Sequence, residues 1–338
     1  VRFMYDKYGL KSVFLQMFCA FIKHKEDMGY RSSIRIVYVF RELEASWASN
    51  WPTEIVFTKQ LYDLWKGARL NEAETTVYHK ISIIRQFCKY MGYCGLSAYV
   101  PSLPKRTSHR YIPKIFTNEE LSRIFRAVDA LRSGYVSTKT SLWCMPTLFR
   151  LLYATGMRIG EALTLKNADV NLDSRVITLR TTKNDKDRLI PMSDSIVLLL
   201  KQYCGYRDRM LIKRVSTPDS HFFPSFKGTR MKNTTPEKWF RKTLHSAGIP
   251  FIGGTHGPRV HDLRHTFAVH TLMNQVRAGK DIYSILPLLS VFLGHKHLAS
   301  TETYVRLTCE MFPEINEQVS AVTSFIFPTI NHIIHDET

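Results

Sequence analysis

Long apolar runs are missing from this 338-residue sequence. No stretch approaches the roughly 20 consecutive apolar residues that a helix needs to cross a bilayer, so no membrane partner is expected. The apolar residues of "KSVFLQMFCAFIKH" near the N-terminus are amphipathic and broken by charge, and nothing there reads as a signal peptide. Cysteine is sparse and scattered. Cys19, Cys88, Cys94, Cys144, Cys204 and Cys309 form no CxxC pair, which argues against a zinc ribbon and a secreted disulfide framework and favours a reducing, cytoplasmic setting. There is no Walker A loop for nucleotide phosphates and no cluster of carboxylates to seat two magnesium ions, so neither a cofactor nor a metal is expected. Internal repeats and low-complexity tracts are absent as well.

Negative charge is also short. Lys and Arg number 47 against 29 Asp and Glu, leaving +18 at neutral pH and a pI near 9.7. An excess of this size on a chain that is 44% hydrophobic and 12% aromatic points to a folded protein with a polyanionic partner, most often nucleic acid. Charge alone leaves open a protein that is merely basic.

The pattern that is present divides the chain. Residues 1–100 read as a small helical domain: Phe14, Met17, Phe18 and Phe21 repeat at helical spacing, as do Val77, Ile81, Ile84 and Cys88, with "SSIRIVYVFRELEASW" and "TKQLYDLWKG" supplying two more helices. Residues 101–114 hold Pro101, Pro104 and Pro113, which disfavour a continuous helix, together with Lys105, Arg106, Arg110 and Lys114. This stretch reads as a basic linker that lies along a phosphate backbone or, equally, as a solvated loop. A second domain, 115–311, opens with a capping-box pattern at Thr117 and Glu120, flanked by Phe116 and Leu121 as a hydrophobic staple. Within it "KTSLWCMPTLFRLLYATG" reads as a buried helix stopped by Gly156, "MRIGEALTL" as the next helix, and "RVITLRTTK" and "DRLIPM" as two strands of a hairpin. Helical patterns return in "SDSIVLLLKQYCGY", "TPEKWFRKTLHSAG" and "PRVHDLRHTFAVHTLMNQ". The expected fold class is mainly α with a small β-sheet (α+β). Residues 312–338 form a C-terminal tail whose apolar residues dock on its own domain or on a neighbouring protomer.

The chemistry-bearing residues lie in the second domain. In "VHDLRHTFAVH" His261, Arg264 and His265 share one helical face. Two imidazoles one turn apart can clamp a metal, whereas the arginine beside them argues for an anion. Arg158 starts a helix straight after Gly156, close to free backbone N–H groups, and is placed to take two phosphate oxygens, with Glu161 three residues on to orient it. A solvated surface pair would look the same. Lys183 at the hairpin mouth is either an exposed turn lysine or a mobile proton donor. His295 follows the helix-ending Gly294, and Tyr304 lies nine residues later.

Together and in this order, "ATGMRIGEALTL", "TKNDKDRLIPM", "HDLRHTF" and "LGHKHLASTETYVRL" resemble the tyrosine recombinase (phage integrase) family across the whole second domain. The first domain is similar to that family's core-binding domain in length and character. The resemblance implies that Tyr304 attacks the scissile DNA phosphate to give a 3′-phosphotyrosine and a free 5′-hydroxyl. It also implies that Arg158 and Arg264 hold the non-bridging oxygens, Lys183 protonates the leaving 5′-oxygen, and His261 accepts a proton or binds the phosphate. His295 would complete the phosphate contacts, while Glu161 and His265 would support the others. The expected function is site-specific recombination or integration without metal or ATP, serving a mobile element. The implied partners are double-stranded DNA with inverted repeats and three further copies of the chain in a homotetramer, in a cytoplasmic, DNA-associated location.

Three other readings compete. A type IB topoisomerase shares the tyrosine chemistry, but the close His295–Tyr304 spacing favours a recombinase. A DNA-binding protein without catalysis explains the charge and not the ordered motifs. A metal-dependent nuclease needs carboxylates by the histidines, and only Asp262 is adjacent, about 100° from His261 around the helix.

Overall fold

A computed structural model describes residues 10–30, 34–47, 52–105, 112–132, 141–180, 187–210, 215–251, 257–295 and 297–312. The chain separates into two compact units, Val1–Arg110 and Tyr111–Thr338.

Among its described residues the first unit has four helices, α1 (Leu15–Asp27), α2 (Ile34–Ser46), α3 (Lys59–Gly67) and α4 (Glu74–Tyr93). Its core is aromatic. Phe14, Phe18, Phe40, Trp47, Phe57 and Phe87 are all fully enclosed, and the Phe18 and Phe40 rings stack with centroids 3.9 Å apart. Of the expected stripes, Phe14, Phe18, Phe21, Ile81, Ile84 and Cys88 are buried, while Met17 and Val77 lie at the core's margin. Two polar devices lock the ends of these helices. Thr58 caps α3 by accepting from the Leu61 N–H at 3.2 Å, and the buried Glu44 carboxylate of α2 accepts the Lys11 and Ser12 N–H groups at 2.8 and 2.9 Å.

The second unit carries eight further helices and one sheet among its described residues. The first helix, α5 (Asn118–Ala130), begins with the full reciprocal capping box of Thr117 and Glu120. Next come α6 (Met145–Thr155) and the short α7 (Ile159–Thr164). The helix expected across "KTSLWCMPTLFRLLYATG" starts as a 3₁₀ turn at Leu142–Cys144 and becomes α-helical at Met145, where Pro146 occupies the first turn and needs no N–H partner.

The sheet has three antiparallel strands in sequence order: β1 (Val170–Asn171), β2 (Val176–Leu179) and β3 (Arg188–Pro191), with Ile177 opposite Ile190. Only β2 and β3 were expected. A two-residue strand shows no alternation to read. The turn into β2 is instead built by the Asn171 side chain, which accepts from the Asp173 and Ser174 N–H groups, and by Arg175 at a φ of 58°.

Helices α8 (Asp194–Asp208), α9 (Thr234–Ser246), α10 (Asp262–Arg277), α11 (Ile282–Leu293) and α12 (Ala299–Met311) complete the unit. The central element is α10, which packs on α6, α11 and α12 and is buried on nearly every side. Leu263 belongs to the large core shared with α5, α6 and the sheet, whereas Ala268, Val269, Leu272, Met273 and Val276 belong to a second core with α11 and α12. Its N-terminus is thereby fixed between the two.

Helices α6 and α11 both stop at a left-handed glycine, Gly156 at φ 60° and Gly294 at φ 66°. A Cβ on Gly156 would meet the Phe267 ring and lie 2.9 Å from Leu293 Cδ2. Gly156→Ala therefore combines backbone strain with overpacking and is expected to lower the unfolding free energy by about 3 kcal/mol. Urea titration of the variant checks this, and an unchanged midpoint would refute it.

Candidate active site

The site assembles where α6, α10 and α11 meet. Arg264 on α10 is 2% exposed, and its guanidinium donates to the carbonyls that the two glycine-stopped helices leave open: Nη1 to Gly156 O at 2.7 Å and Nη2 to Leu293 O at 2.9 Å. A cation at two helix C-termini meets the negative ends of both dipoles. Burial, followed by the neighbouring Arg158, lowers the Arg264 pKa to about 10, so the group stays charged at neutral pH.

Arg158 is the N-cap of α7, set in extended backbone by the glycine that ends α6. Its Nη2 donates to Gly294 O at 3.1 Å and its Nη1 to Glu161 Oε1 at 2.9 Å, while its backbone N–H reaches Glu161 Oε2 at 2.8 Å. Glu161 also accepts two hydrogen bonds from Arg188 of β3, at 3.1 and 2.7 Å. Burial alone would raise the Glu161 carboxyl, but Arg188 and Arg158 hold it below its ordinary value. Glu161 is thus the shared counter-ion of two arginines. Arg158 keeps 25% of its side chain open to solvent, against 11% for Arg188, and presents the accessible edge of the cationic cluster.

Three imidazoles and the phenol complete the arrangement. His261 is the N-cap of α10 but keeps a right-handed helical conformation, so it remains in register with His265. Their rings stand perpendicular with centroids 4.8 Å apart. His265 Nδ1 lies 3.1 Å from Tyr304 Oη. His295 reaches the hydroxyl of Thr301 at 2.7 Å through Nδ1, and its ring lies nearly parallel to that of Tyr304 with centroids 6.0 Å apart. Burial, reinforced by the surrounding arginines, depresses the His261 and His295 pKa values to about 4. Burial, with His261 and Arg264 adding to it, takes His265 to about 3. Tyr304 is 3% exposed, and burial raises its pKa while Arg264 and Arg158 pull it down. The site is a pocket of fixed guanidinium charge with neutral imidazoles and one buried phenol, suited to an anion.

Of the residues singled out in the sequence, Arg158, Glu161, His261, Arg264, His265, His295 and Tyr304 come together here. Lys183 lies outside the described residues, as do Arg106, Arg110 and residues 313–338 of the tail. Lys105 is exposed, and Lys114 pairs with Glu120 at 2.9 Å. No group of three or more His, Cys, Asp or Glu side chains that could hold a metal occurs among the described residues. Arg188 and Thr301 were not anticipated. Arg188 was legible: the two-residue period of "RLIP" puts it on the same face as buried Ile190, an odd place for an arginine without a partner. Thr301 carries no such signal.

Residues 114–311 match the phage integrase family. An integrase/recombinase of Sinorhizobium fredii, y4rB, is 33% identical over 70% of this chain and 75% of its own. The tyrosine recombinase XerC of Chlamydia caviae is 27% identical over 73% of this chain and 72% of its own. Among solved structures, a lambda integrase tetramer bound to a Holliday junction superposes with a TM-score of 0.58 at 15% identity, covering 86% of this chain and 79% of that one.

The electrostatics lead to two expected outcomes. Glu161→Ala strands the nearly buried Arg188 without its carboxylate and is expected to cost about 3 kcal/mol in a urea titration; a loss below about 0.5 kcal/mol, as at an exposed pair, would contradict it. The imidazoles set a pH dependence. Unfolded histidine binds its proton near 6.5, whereas His261, His265 and His295 do so only near 4, 3 and 4 when folded. Between these limits the unfolded state holds more protons, so stability is full above pH 6.5 and falls as pH drops toward 4. Thermal midpoints that stay level from pH 7 to 5 would contradict this.

Proposed function

The chain belongs to the phage integrase family of tyrosine recombinases, and from that premise we propose how its site works. It is a tyrosine-type site-specific recombinase that cuts and rejoins DNA strands. The observation that carries the residue assignment is the convergence of one buried tyrosine with two arginines and three histidines drawn from separate helices.

In the proposed mechanism Tyr304 Oη attacks the scissile phosphate, forming a 3′-phosphotyrosine and releasing a 5′-hydroxyl. Arg158 and Arg264 neutralise the non-bridging oxygens, with Glu161 and Arg188 holding Arg158 in place. Phosphoryl transfer asks mainly for positioning and charge stabilisation, which fixed guanidinium groups supply directly. His261 and His295 complete the phosphate contacts, and Lys183 gives the leaving 5′-oxygen its proton. The phosphotyrosine bond keeps the energy of the broken phosphodiester, so rejoining to a new strand needs no ATP.

The same reading extends to partners. The substrate is double-stranded DNA carrying a recombination site with inverted repeats, gripped by the helical first unit and contacted by Lys105, Arg106, Arg110 and Lys114. The working assembly is a homotetramer on DNA, supported by the likeness to the lambda integrase tetramer. A mobile element, transposon or phage, is the genetic setting. No helix among the described residues is long and apolar enough to cross a membrane, and the proposed location is the cytoplasm, on DNA.

Incubating the full chain with a pool of randomised nicked duplexes tests the reading. A covalent protein–DNA adduct should survive detergent, form in EDTA and disappear in Tyr304→Phe, and its DNA identifies the site. Arg158→Ala should slow adduct formation by about 10²- to 10³-fold, as for loss of one preorganised charge-stabilising donor. An adduct that persists in Tyr304→Phe, or that needs a divalent metal, would sink the assignment.

A further inference from the structure

Tyr304 must lose a proton to attack phosphorus. Its burial raises the phenol above the ordinary value of 10.0, so at neutral pH fewer than about one molecule in a thousand carries the phenolate unaided. A group within hydrogen-bond reach of Oη has to take that proton.

Three imidazoles are candidates, and their geometry separates them. His295 directs Nδ1 to the Thr301 hydroxyl at 2.7 Å, and its ring lies nearly parallel to that of Tyr304 with centroids 6.0 Å apart. His261 stands perpendicular to the His265 ring with centroids 4.8 Å apart, and the charged groups that act on it are Arg264, Arg158, Arg259 and Glu161. His265 alone of the three has a ring nitrogen, Nδ1, at 3.1 Å from Tyr304 Oη.

We propose that His265, not His261, is the proton acceptor for the nucleophile: its unprotonated Nδ1 receives the Tyr304 proton as the Oη–P bond forms. This rests on the recombinase reading above. The O–H bond of Tyr304 breaks and leaves its electron pair on Oη. The P–O5′ bond breaks, and its pair departs with the 5′-oxygen, which takes the proton of Lys183. On religation the His265 imidazolium returns its proton to Oη.

The surroundings suit the role. His265 faces His261 and Arg264 on its own helix and its cap, His295 and Tyr304 from the elements packed against it, and Arg259 just ahead of the helix. Before DNA arrives burial, with these groups adding to it, holds His265 near 3, which leaves Nδ1 unprotonated but weakly basic. The phosphate then sets negative charge between Arg158 and Arg264 and offsets part of the cationic field, which favours the imidazolium as the phenol ionises.

His265→Asn tests this, because the amide keeps a polar group near the Nδ1 position but is not basic. On the duplex recovered from the adduct, single-turnover cleavage is expected to fall by about 10²-fold or more, the range for a lost general base, with DNA affinity and thermal midpoint retained. The loss should persist on a duplex whose 5′-bridging oxygen is sulfur, since that leaving group needs no proton. Cleavage within about threefold of the parent chain, faster cleavage, or a defect cured by the sulfur substrate would overturn the proposal. Failure of the parent chain to form any adduct would instead overturn the recombinase reading.

A measurement on the free protein stands apart from DNA and from any folding defect. Long-range ¹H–¹⁵N spectra of the full chain should show His265 protonated at Nε2, with an Nδ1 resonance that moves in Tyr304→Phe. A proton resident on Nδ1 would overturn the assignment.

Discussion

The second unit depends on one buried guanidinium. Arg264 is 2% exposed, yet it sits at the meeting point of two helix C-termini and uses Nη1 and Nη2 to satisfy the carbonyls of Gly156 and Leu293. Without those bonds both helices would end in buried, unpaired acceptors, and an arginine so enclosed would have no reason to remain charged. The arrangement ties together chain segments separated by 108 and 29 residues. It also fixes the residues just beyond each helix stop, because Arg158 comes two residues after Gly156 and His295 comes directly after Gly294.

Around that anchor the charge is unbalanced. Arg158, Arg188 and Arg264 converge with Glu161 as the carboxylate between them, and that carboxylate is engaged by Arg158 and Arg188. The cluster therefore carries an excess of positive charge in a partly desolvated place, which costs stability until an anion arrives and gives that anion a strong, preformed seat. Burial, with the same excess adding to it, keeps the histidines neutral. Neutral imidazoles can accept protons, whereas imidazolium groups in the same pocket would add to the repulsion and only donate.

Much of this was legible beforehand. The helices of both units follow from 3.6-residue apolar periodicity, and the stops at Gly156 and Gly294 follow from glycine's freedom at positive φ. The capping box at Thr117 and Glu120 forms as its spacing requires. What escaped was of two kinds. Strand β1 is too short to show a period, and the turn after it depends on an asparagine side chain rather than glycine or proline. Arg188 was overlooked because a charged residue beside a turn is ordinarily solvated, although its shared face with Ile190 pointed inward.

The amino-acid sequence by itself determined which residue types are available for the chemistry, in what order and on which helical faces, because spacing along a helix or strand sets those relations locally. Only the tertiary structure decided which partner each side chain meets. His261 and His265 share a helical face beside Arg264 in the sequence, but the packing of α12 on α10 brings the Tyr304 hydroxyl to His265. That distinction is made by a contact across 39 residues of chain, and local periodicity carries no information about it.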